Sequence, residues 1–547
     1  MANSTISSNY MATLVGGSAR PDYNRANLLF PPMTFYQAAP NFGNVLGALA
    51  IVSLLIFAVI FFQPSDSGKK LPKVNKLFFW EPSYFARLRW SFWAQQILQA
   101  ADNEAQDRPY RLSRGDTELV VLPPFLIPDL NRLGPDILDS RKSHAFTLLG
   151  RLTGMRIVER TSYHVRILLG RISPALPELL APTASRMLAA LVREFPQGED
   201  WTVIKPLQAT VRCFSEGIAL ALFGARMAQD PRLVELTYTL TEDIFRVAFI
   251  MRCFPAILQP IFVWLLPSKW SLERRWRELR SFVRPEVQRQ KEAGDSATSD
   301  DLESPSPDLI TWMVKDGRAD LERDPDVLTT LCGSVAAGSI YSIANFVCRT
   351  LAELTAHPEA MDAVRSEIQT THTTVNGCWD MTTLARLDKL ESVMKETARL
   401  APGTLLVYSR VVQRDCIVRG IELKKSQFIT VSGMARALDP TIFEDPKSFR
   451  GLRFCEESKQ DEHRAKPFRS VDMDILTWGA GRWACPGRQV ADMAAKVLLV
   501  NLLNLYDFDF VGGKRLQPDC FHEFLFFHPK NKIMVRRRKG AAKIEFK

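Results

Sequence analysis

The chain has 547 residues, 46% of them hydrophobic and 24% charged, and its formal net charge at pH 7 is +10. This composition is typical of a globular protein and excludes an intrinsically disordered or a fibrous one. The length allows either several domains or one large domain that buries a deep pocket. The basic residues form no stripe with interleaved aromatic residues, so we expect no nucleic-acid partner.

The nine cysteines follow no repeated spacing, and their number is odd. This pattern argues against a disulfide framework and favours a reducing compartment. No pair forms C-x-x-C and the seven histidines are dispersed. The sequence therefore does not indicate a zinc cluster.

An apolar run near the N-terminus predicts a membrane anchor. Residues 41–63 are long and apolar enough to cross a bilayer. Lysines follow this run closely, so the positive-inside rule places residues 64–547 in the cytosol and residues 1–40 in the lumen. We expect a single-pass protein of the endoplasmic reticulum membrane, with Asn3 of the Asn-Ser-Thr triplet as a candidate glycosylation site.

Two later segments leave alternatives open. A predicted helix around "SYHVRILLGR" carries Arg166 and Arg171 beside His164. Exposure to solvent accounts for these charged side chains as well as contact with a ligand does. Residues 249–267 are apolar but contain two internal prolines, Pro255 and Pro260, and an arginine, which makes them a poor membrane span. They fit a pair of short helices at a lipid surface about as well as ordinary core helices.

The rest of the chain indicates a helical body. Apolar residues at helical spacing predict a long helix over residues 326–356 that ends before a His-Pro pair. Short β-rich segments at 407–432 and 524–538 predict a small sheet with hairpins. The predicted fold class is mainly α with a minor β-sheet. The apolar segments 146–157, 245–258 and 521–527 predict a pocket for a hydrophobic ligand.

The stretch "GAGRWACPGR" places Cys485 in a glycine-rich turn directly before a helical run. A thiolate is favoured near a helix N-terminus and positive charge, here from Arg482 and Arg488. Gly479 and Gly487 allow tight turns and the close approach of a flat object to the backbone. A lone thiolate offered to a planar partner indicates haem iron with a cysteine axial ligand.

This turn resembles the haem-binding loop of the cytochrome P-450 superfamily, whose pattern is F-G-x-G-x-R-x-C-x-G. The resemblance implies haem b as the cofactor, Cys485 as its axial ligand, and Trp478, Gly479 and Gly487 around it. Trp478 replaces the family's phenylalanine. Trp483 takes the place of a basic residue that usually meets a haem propionate, which leaves that propionate to Arg482 or the Trp483 indole N–H. The chain is similar to the family over about residues 70–538.

Companion motifs extend the resemblance. Glu396 and Arg399 match the family's E-x-x-R, and Arg453 matches the arginine of its R-F segment, which implies a structural triad. Alone, the E-x-x-R pair would be taken for a surface ion pair on one helix face. Arg410 matches a strand arginine that contacts a propionate, and Arg166 is a weaker candidate for the same role. The implied fold is a triangular helical prism around the haem.

The long helix carries "GSIYS" where the family has [AG]-G-x-[DE]-T. The resemblance implies that Ser342, at the threonine position, and Tyr341, at the acid position, are catalytic residues. A phenol with a pKa near 10 delivers protons less readily than a carboxylate. The alternative for Ser342 is a hydroxyl bonded back onto its own helix.

The resemblance implies a haem-thiolate monooxygenase that oxidises a hydrophobic small molecule with O2. The sequence looks most like membrane-bound fungal enzymes of secondary metabolism, so a terpenoid or polyketide-derived substrate is expected. Electrons would come from NADPH–cytochrome P-450 reductase, with cytochrome b5 as an additional donor. Two alternatives stand beside this prediction: an isomerase or dehydratase that needs no external reductant, prompted by Tyr341, and a haem-binding membrane protein without turnover.

Overall fold

The structure is a computed structural model that describes residues 71–78, 80–115, 117–296, 307–457 and 466–547. These residues all belong to one unit of the chain. The predicted lumenal tail, the predicted membrane anchor and Asn3 lie outside the described residues.

Helices make up most of the described chain. The α-helices, in chain order, are α1 Ser83–Ala105, α2 Ile127–Arg132, α3 Ser140–Thr147, α4 Gly150–Thr153, α5 Tyr163–Ile167, α6 Leu176–Glu194, α7 Pro206–Met227, α8 Pro231–Met251, α9 Gln259–Phe262, α10 Pro267–Ser296, α11 Leu309–Lys315, α12 Asp320–Arg323, α13 Pro325–Ala356, α14 Pro358–Thr374, α15 Met381–Ala385, α16 Asp388–Leu400, α17 Arg453–Glu457 and α18 Arg488–Leu505. Short 3₁₀ turns include Leu476–Trp478 and Gly481–Trp483.

The strands are short and form small sheets. Their bounds are β1 Tyr110–Arg114, β2 Thr117–Leu122, β3 Leu138–Asp139, β4 Thr202–Ile204, β5 Cys378–Trp379, β6 Leu406–Val412, β7 Cys416–Val418, β8 Ile421–Leu423, β9 Phe428–Ser432, β10 Tyr506–Phe510, β11 Asp519–Phe521, β12 Phe524–Phe526, β13 Ile533–Arg537 and β14 Glu545–Phe546. One sheet has the order β1-β2-β9-β6-β3, and a second has the order β10-β13-β4. The pairs β11–β12 and β7–β8 are antiparallel hairpins, and β14 pairs with β5 in parallel.

The long helix α13 runs through the core. It begins where the Asp324 carboxylate accepts the Asp326 N–H at 2.8 Å, with Pro325 in the first turn, and ends at the His-Pro pair. It packs against α7, α8, α10, α16 and α18. Among the described residues it is the one helix long and apolar enough to cross a membrane, and 72% of its apolar window is buried inside the protein. Here that apolar surface forms the core.

The prediction of a mainly helical fold with small sheets is confirmed. The long helix is present, starting one residue earlier than predicted. The predicted β-rich segment 407–432 contains the strands β6, β7, β8 and β9, of which β7 and β8 form a hairpin. The segment 524–538 contains β12 and β13, but these strands belong to different sheets, so the hairpin there is formed by β11 and β12 instead.

Candidate functional site

The cysteine turn adopts a backbone that its glycines make possible. Gly479 and Gly481 have φ values of +71° and +68°, a region that residues with a Cβ rarely adopt. The Cys485 N–H donates to the Trp478 carbonyl at 2.8 Å and closes the turn. Helix α18 begins three residues later, and the Arg488 guanidinium donates to the Cys485 carbonyl at 2.9 Å. The sulfur is thus held just before a helix N-terminus.

The Cys485 thiol faces a cavity of about 1070 Å³. That volume lies at the upper limit of ordinary small-molecule sites, so a planar cofactor and a substrate can share it. All three predicted apolar segments contribute to the lining, for example through Leu148, Phe249 and Phe524. Helix α13 supplies a long stretch of the wall.

Burial raises the pKa of the Cys485 thiol, while backbone N–H groups of Gly487 and Arg488 and the Arg488 charge act in the opposite direction. The protein alone therefore does not secure the thiolate. A bound metal cation would, because a coordinating thiol is deprotonated.

A chain of contacts fixes Trp478 beside the turn. Its indole N–H donates to the Phe468 carbonyl at 2.6 Å, and the Phe468 N–H donates to Glu391 Oε2 at 2.6 Å. Lys496 in α18 forms an ion pair with the same carboxylate. The Phe468 ring stacks on Phe346 of α13 at 5.0 Å. Helices α13, α16 and α18 therefore all contribute to the position of the tryptophan.

The structure brings Glu396, Arg399 and Arg453 together in the interior. Glu396 accepts two bonds from Arg399, each of 2.7 Å, and one from Arg453 Nε at 3.1 Å. All three side chains are fully buried. The two guanidiniums also donate to backbone carbonyls between Ala437 and Ser448. These three residues connect α16 to the irregular segment 437–448 in the interior of the protein. They do not form a surface ion pair.

The polar atoms of the cavity wall fit the carboxylates of a haem. Arg410 is buried on the wall, donates to the Ser409 carbonyl at 2.8 Å, and forms no ion pair with any described carboxylate. Burial lowers its pKa to about 10, so it stays cationic at neutral pH. The buried Nδ1 of His164 has no hydrogen-bond partner among the described residues. Burial, with His144 nearby, lowers the pKa of His164 to about 4, which leaves a neutral ring able to donate one hydrogen bond.

The glycines of the wall leave room for a flat group. A Cβ added at Gly487 or at Gly338 would meet nothing within 4 Å. Both residues line the cavity, and so do Trp478, Gly479 and Trp483. The cysteine, the cation, the histidine and the open glycines together suit haem.

The structure places three arginines that were candidates for cofactor contact outside the cavity lining. Arg166 forms an ion pair with Glu322 at 2.7 Å, and Arg171 forms one with Asp316 at 2.7 Å, both away from the cavity lining. Arg482 is exposed and is also not part of the lining. Of the cations proposed for the propionates, Arg410 is the one placed on the wall.

On α13 the predicted catalytic residues line the cavity, but their contacts differ from expectation. The Ser342 hydroxyl donates to its own helix, to the carbonyls of Gly338 and Ser339 at 2.7 and 2.8 Å. This is the back-bonded state that stood as the alternative for Ser342. The Tyr341 hydroxyl donates to Glu242 of α8.

Glu242 was not predicted from the sequence. It lies about a hundred positions upstream of Tyr341 and belongs to no motif. Its one signal was an acidic pair, Glu242 and Asp243, directly before the apolar end of α8.

Comparison with known proteins agrees with this geometry. The model of the cytochrome P-450 family matches residues 161–536. Cytochrome P-450 monooxygenase AN1598 of Emericella nidulans is 27% identical over 502 residues, which cover 91% of this chain and 92% of that protein. Cytochrome P-450 monooxygenase olcJ of Penicillium canescens is 27% identical over 504 residues, or 91% of this chain and 94% of that protein. The ent-kaurene oxidase of Gibberella intermedia is 26% identical over 491 residues, or 88% and 90%. Since the family match alone spans more than half of the chain, this protein belongs to the cytochrome P-450 family and is a cytochrome P-450 monooxygenase.

Proposed function

We propose that the chain uses haem b, ligated by Cys485, to oxidise a hydrophobic small molecule of secondary metabolism. The observation that carries this proposal is the shared cavity, in which the Cys485 sulfur, the buried Arg410 and a largely apolar wall face the same space. A haem with a cysteine ligand supplies the oxygen-activating chemistry, because electron donation by the thiolate favours O–O cleavage.

Residues of the chain bind the cofactor, orient the substrate and deliver protons. Arg410 and His164 offer hydrogen bonds to the cofactor's carboxylates, and Trp478, Gly479 and Gly487 surround the sulfur. The aromatic wall binds and orients an apolar substrate and excludes water from the reaction. The Ser342 oxygen, exposed at the cavity surface, can accept a hydrogen bond from water there and donate one if it releases its helix carbonyl. We assign Ser342 the role of holding a relay water and passing a proton to the site of oxygen activation.

The proposed substrate is a terpenoid or a polyketide-derived intermediate. The apolar lining supports it, and one relative of this chain bears the name ent-kaurene oxidase. Electrons are proposed to come from NADPH–cytochrome P-450 reductase, with cytochrome b5 as an additional donor, as is general in the family. The exposed Arg482 beside the cysteine turn suits an acidic partner surface.

We propose that the protein resides in the endoplasmic reticulum membrane with residues 64–547 in the cytosol. Large apolar side chains support a lipid contact, since Leu77 and Trp80 are 72% and 68% exposed and Ile261 and Leu265 are 66% and 72% exposed. Carbonate extraction of microsomes should leave the full chain in the pellet, and external protease should degrade its catalytic body. Extraction into the supernatant, or protection from the protease, would contradict this placement.

Turnover with ¹⁸O2 tests the proposed activity. Purified holoenzyme, reductase, NADPH and an extract of fungal terpenoids and polyketides should yield a product with one ¹⁸O atom and matched NADPH consumption. The control omits the reductase. Full turnover in that control would instead favour the isomerase or dehydratase prompted by Tyr341, and NADPH use without any product would favour a protein without turnover.

A further inference from the structure

Helix α8 turns one face towards the cavity. Glu242, Phe245, Arg246 and Phe249 all line it, at the i, i+3, i+4, i+7 spacing of a single helix face. Two of these four side chains are charged, although the neighbouring wall is aromatic. A charge beside apolar surface is costly unless water or a ligand satisfies it, so this pair calls for an explanation.

The Glu242 carboxylate is held in place yet keeps the capacity to accept hydrogen bonds. Its Oε1 accepts the Tyr341 hydroxyl from the facing helix α13. Its Oε2 lies 3.8 Å from Arg246 Nη2, too far for a hydrogen bond, and the side chain is 38% exposed. Burial and the bond to Glu242 raise the pKa of Tyr341, so the phenol keeps its proton and continues to orient the carboxylate.

The charges around Glu242 cancel. Asp243, the next residue, is buried and accepts Arg246 Nη1 at 2.9 Å and Arg275 Nε at 2.7 Å. Two carboxylates and two guanidiniums leave no net charge at this wall. This part of the wall therefore favours neither an anionic nor a cationic ligand. The Glu242 carboxylate remains available there as an oriented hydrogen-bond acceptor for a neutral donor.

We propose that Glu242, positioned by Tyr341, accepts a hydrogen bond from a hydroxyl group of the substrate. This inference rests on the proposed function and narrows its substrate class to a hydrophobic alcohol. The hydroxyl fixes the orientation of the apolar skeleton and thereby selects the carbon that is oxidised. An earlier reaction must therefore introduce this hydroxyl group before the substrate reaches the enzyme.

Two isomeric probes isolate the hydroxyl donor. 1-Decanol and 1-methoxynonane have the same atoms, but the ether cannot donate a hydrogen bond. Equilibrium dialysis against the haem-loaded full chain should show the alcohol binding about tenfold more tightly, as expected for a hydrogen bond to a charged acceptor. Glu242→Leu should bring the ratio of the two dissociation constants to about one. Glu235→Leu, on an exposed position of the same helix outside the cavity lining, is the matched control and should keep the ratio.

A second variant distinguishes the loss of the hydrogen bond from a folding defect in Glu242→Leu. Glu242→Gln retains the shape and a carbonyl acceptor, and the ratio should fall to about threefold because a neutral acceptor bonds roughly half as strongly. Haem content and melting temperature verify that each variant is folded. A wild-type protein that does not bind the alcohol or does not prefer it, or a folded Glu242→Leu protein that keeps the preference, overturns the proposal.

The dialysis result is independent of turnover. If the protein prefers the alcohol but forms no ¹⁸O-labelled product, the hydroxyl subsite is supported and the proposed activity is contradicted. If it forms the labelled product but does not prefer the alcohol, the proposed activity is supported and the hydroxyl subsite is contradicted.

Discussion

Replacing Glu396 by alanine should disrupt the interior of the haem domain. The carboxylate accepts four hydrogen bonds, two from Arg399, one from Arg453 and one from the Arg450 N–H at 3.0 Å. Its removal takes the bidentate counter-charge from the buried Arg399 guanidinium and one charged acceptor from the buried Arg453 guanidinium. Both guanidiniums also donate to backbone carbonyls, which carry only partial charge.

The expected loss is large relative to the stability of a domain. Breaking a buried ion pair by removing one partner costs about 3–5 kcal/mol. The free energy of unfolding of a whole domain is about 5–15 kcal/mol, so Glu396→Ala would consume a substantial share of it. The segment from Ala437 to Arg453, which both arginines hold, precedes the cysteine turn in the chain. We therefore expect haem-free or aggregated protein rather than a folded, slow enzyme.

Haem content per chain and the aggregated fraction on size-exclusion chromatography measure this effect. Asp326→Ala is the control, since Asp326 makes a similar bidentate contact with Arg284 at 2.8 and 2.6 Å but both side chains are about half exposed. Water screens that pair, so the control should retain haem and remain monodisperse. Full haem occupancy and an unchanged unfolding midpoint in Glu396→Ala would refute the reasoning.

Three further changes test other parts of the site. Ser342→Ala should keep haem and ligand binding but divert NADPH into peroxide, and unchanged coupling of NADPH to product would remove Ser342 from proton delivery. Arg410→Leu should weaken haem retention, measured as the rate of haem transfer to apomyoglobin, and an unchanged rate would show that Arg410 does not contact the cofactor. Burial alone would raise the pKa of Glu523, but Arg252 and Arg114 outweigh it and lower the pKa to about 2. Its stabilising contribution is present above the unfolded-state pKa and is lost as the pH falls from about 4.5 to about 2. Glu523→Gln should flatten the pH dependence of the unfolding free energy in that window, and an unaltered slope would contradict the shift.

Local patterns carried most of what the sequence predicted. The turn around Cys485 depends on its own glycines and on the helix directly behind it, so ten residues suffice to indicate it. Glu396 and Arg399 lie three apart on one helix and are joined by a bidentate contact. The long helix followed from its apolar spacing and from the His-Pro pair at its end.

Contacts between distant segments could not be predicted in this way. Arg166 was expected at the cofactor, but Glu322, 156 positions away, pairs with it. Nothing in the sequence near either residue indicates that contact. Glu242 reaches Tyr341 from a helix 99 positions upstream, where it belongs to no motif. The Ser342 hydroxyl can donate either to a carbonyl of its own helix or to a group in the cavity. The spacing of residues in the sequence does not show which partner it takes.

The identity of the axial ligand is the central claim, and the carbon monoxide spectrum tests it most directly. The reduced wild-type holoprotein with carbon monoxide should show the red-shifted Soret band of a thiolate ligand. Cys485→Ser should abolish that band, because a serine hydroxyl is not deprotonated there and donates far less charge. Cys455→Ser should keep it, since the Cys455 thiol donates to the Asp388 carbonyl at 3.0 Å and does not line the cavity. A normal red-shifted band in Cys485→Ser would contradict the assignment of the ligand and the proposed function with it.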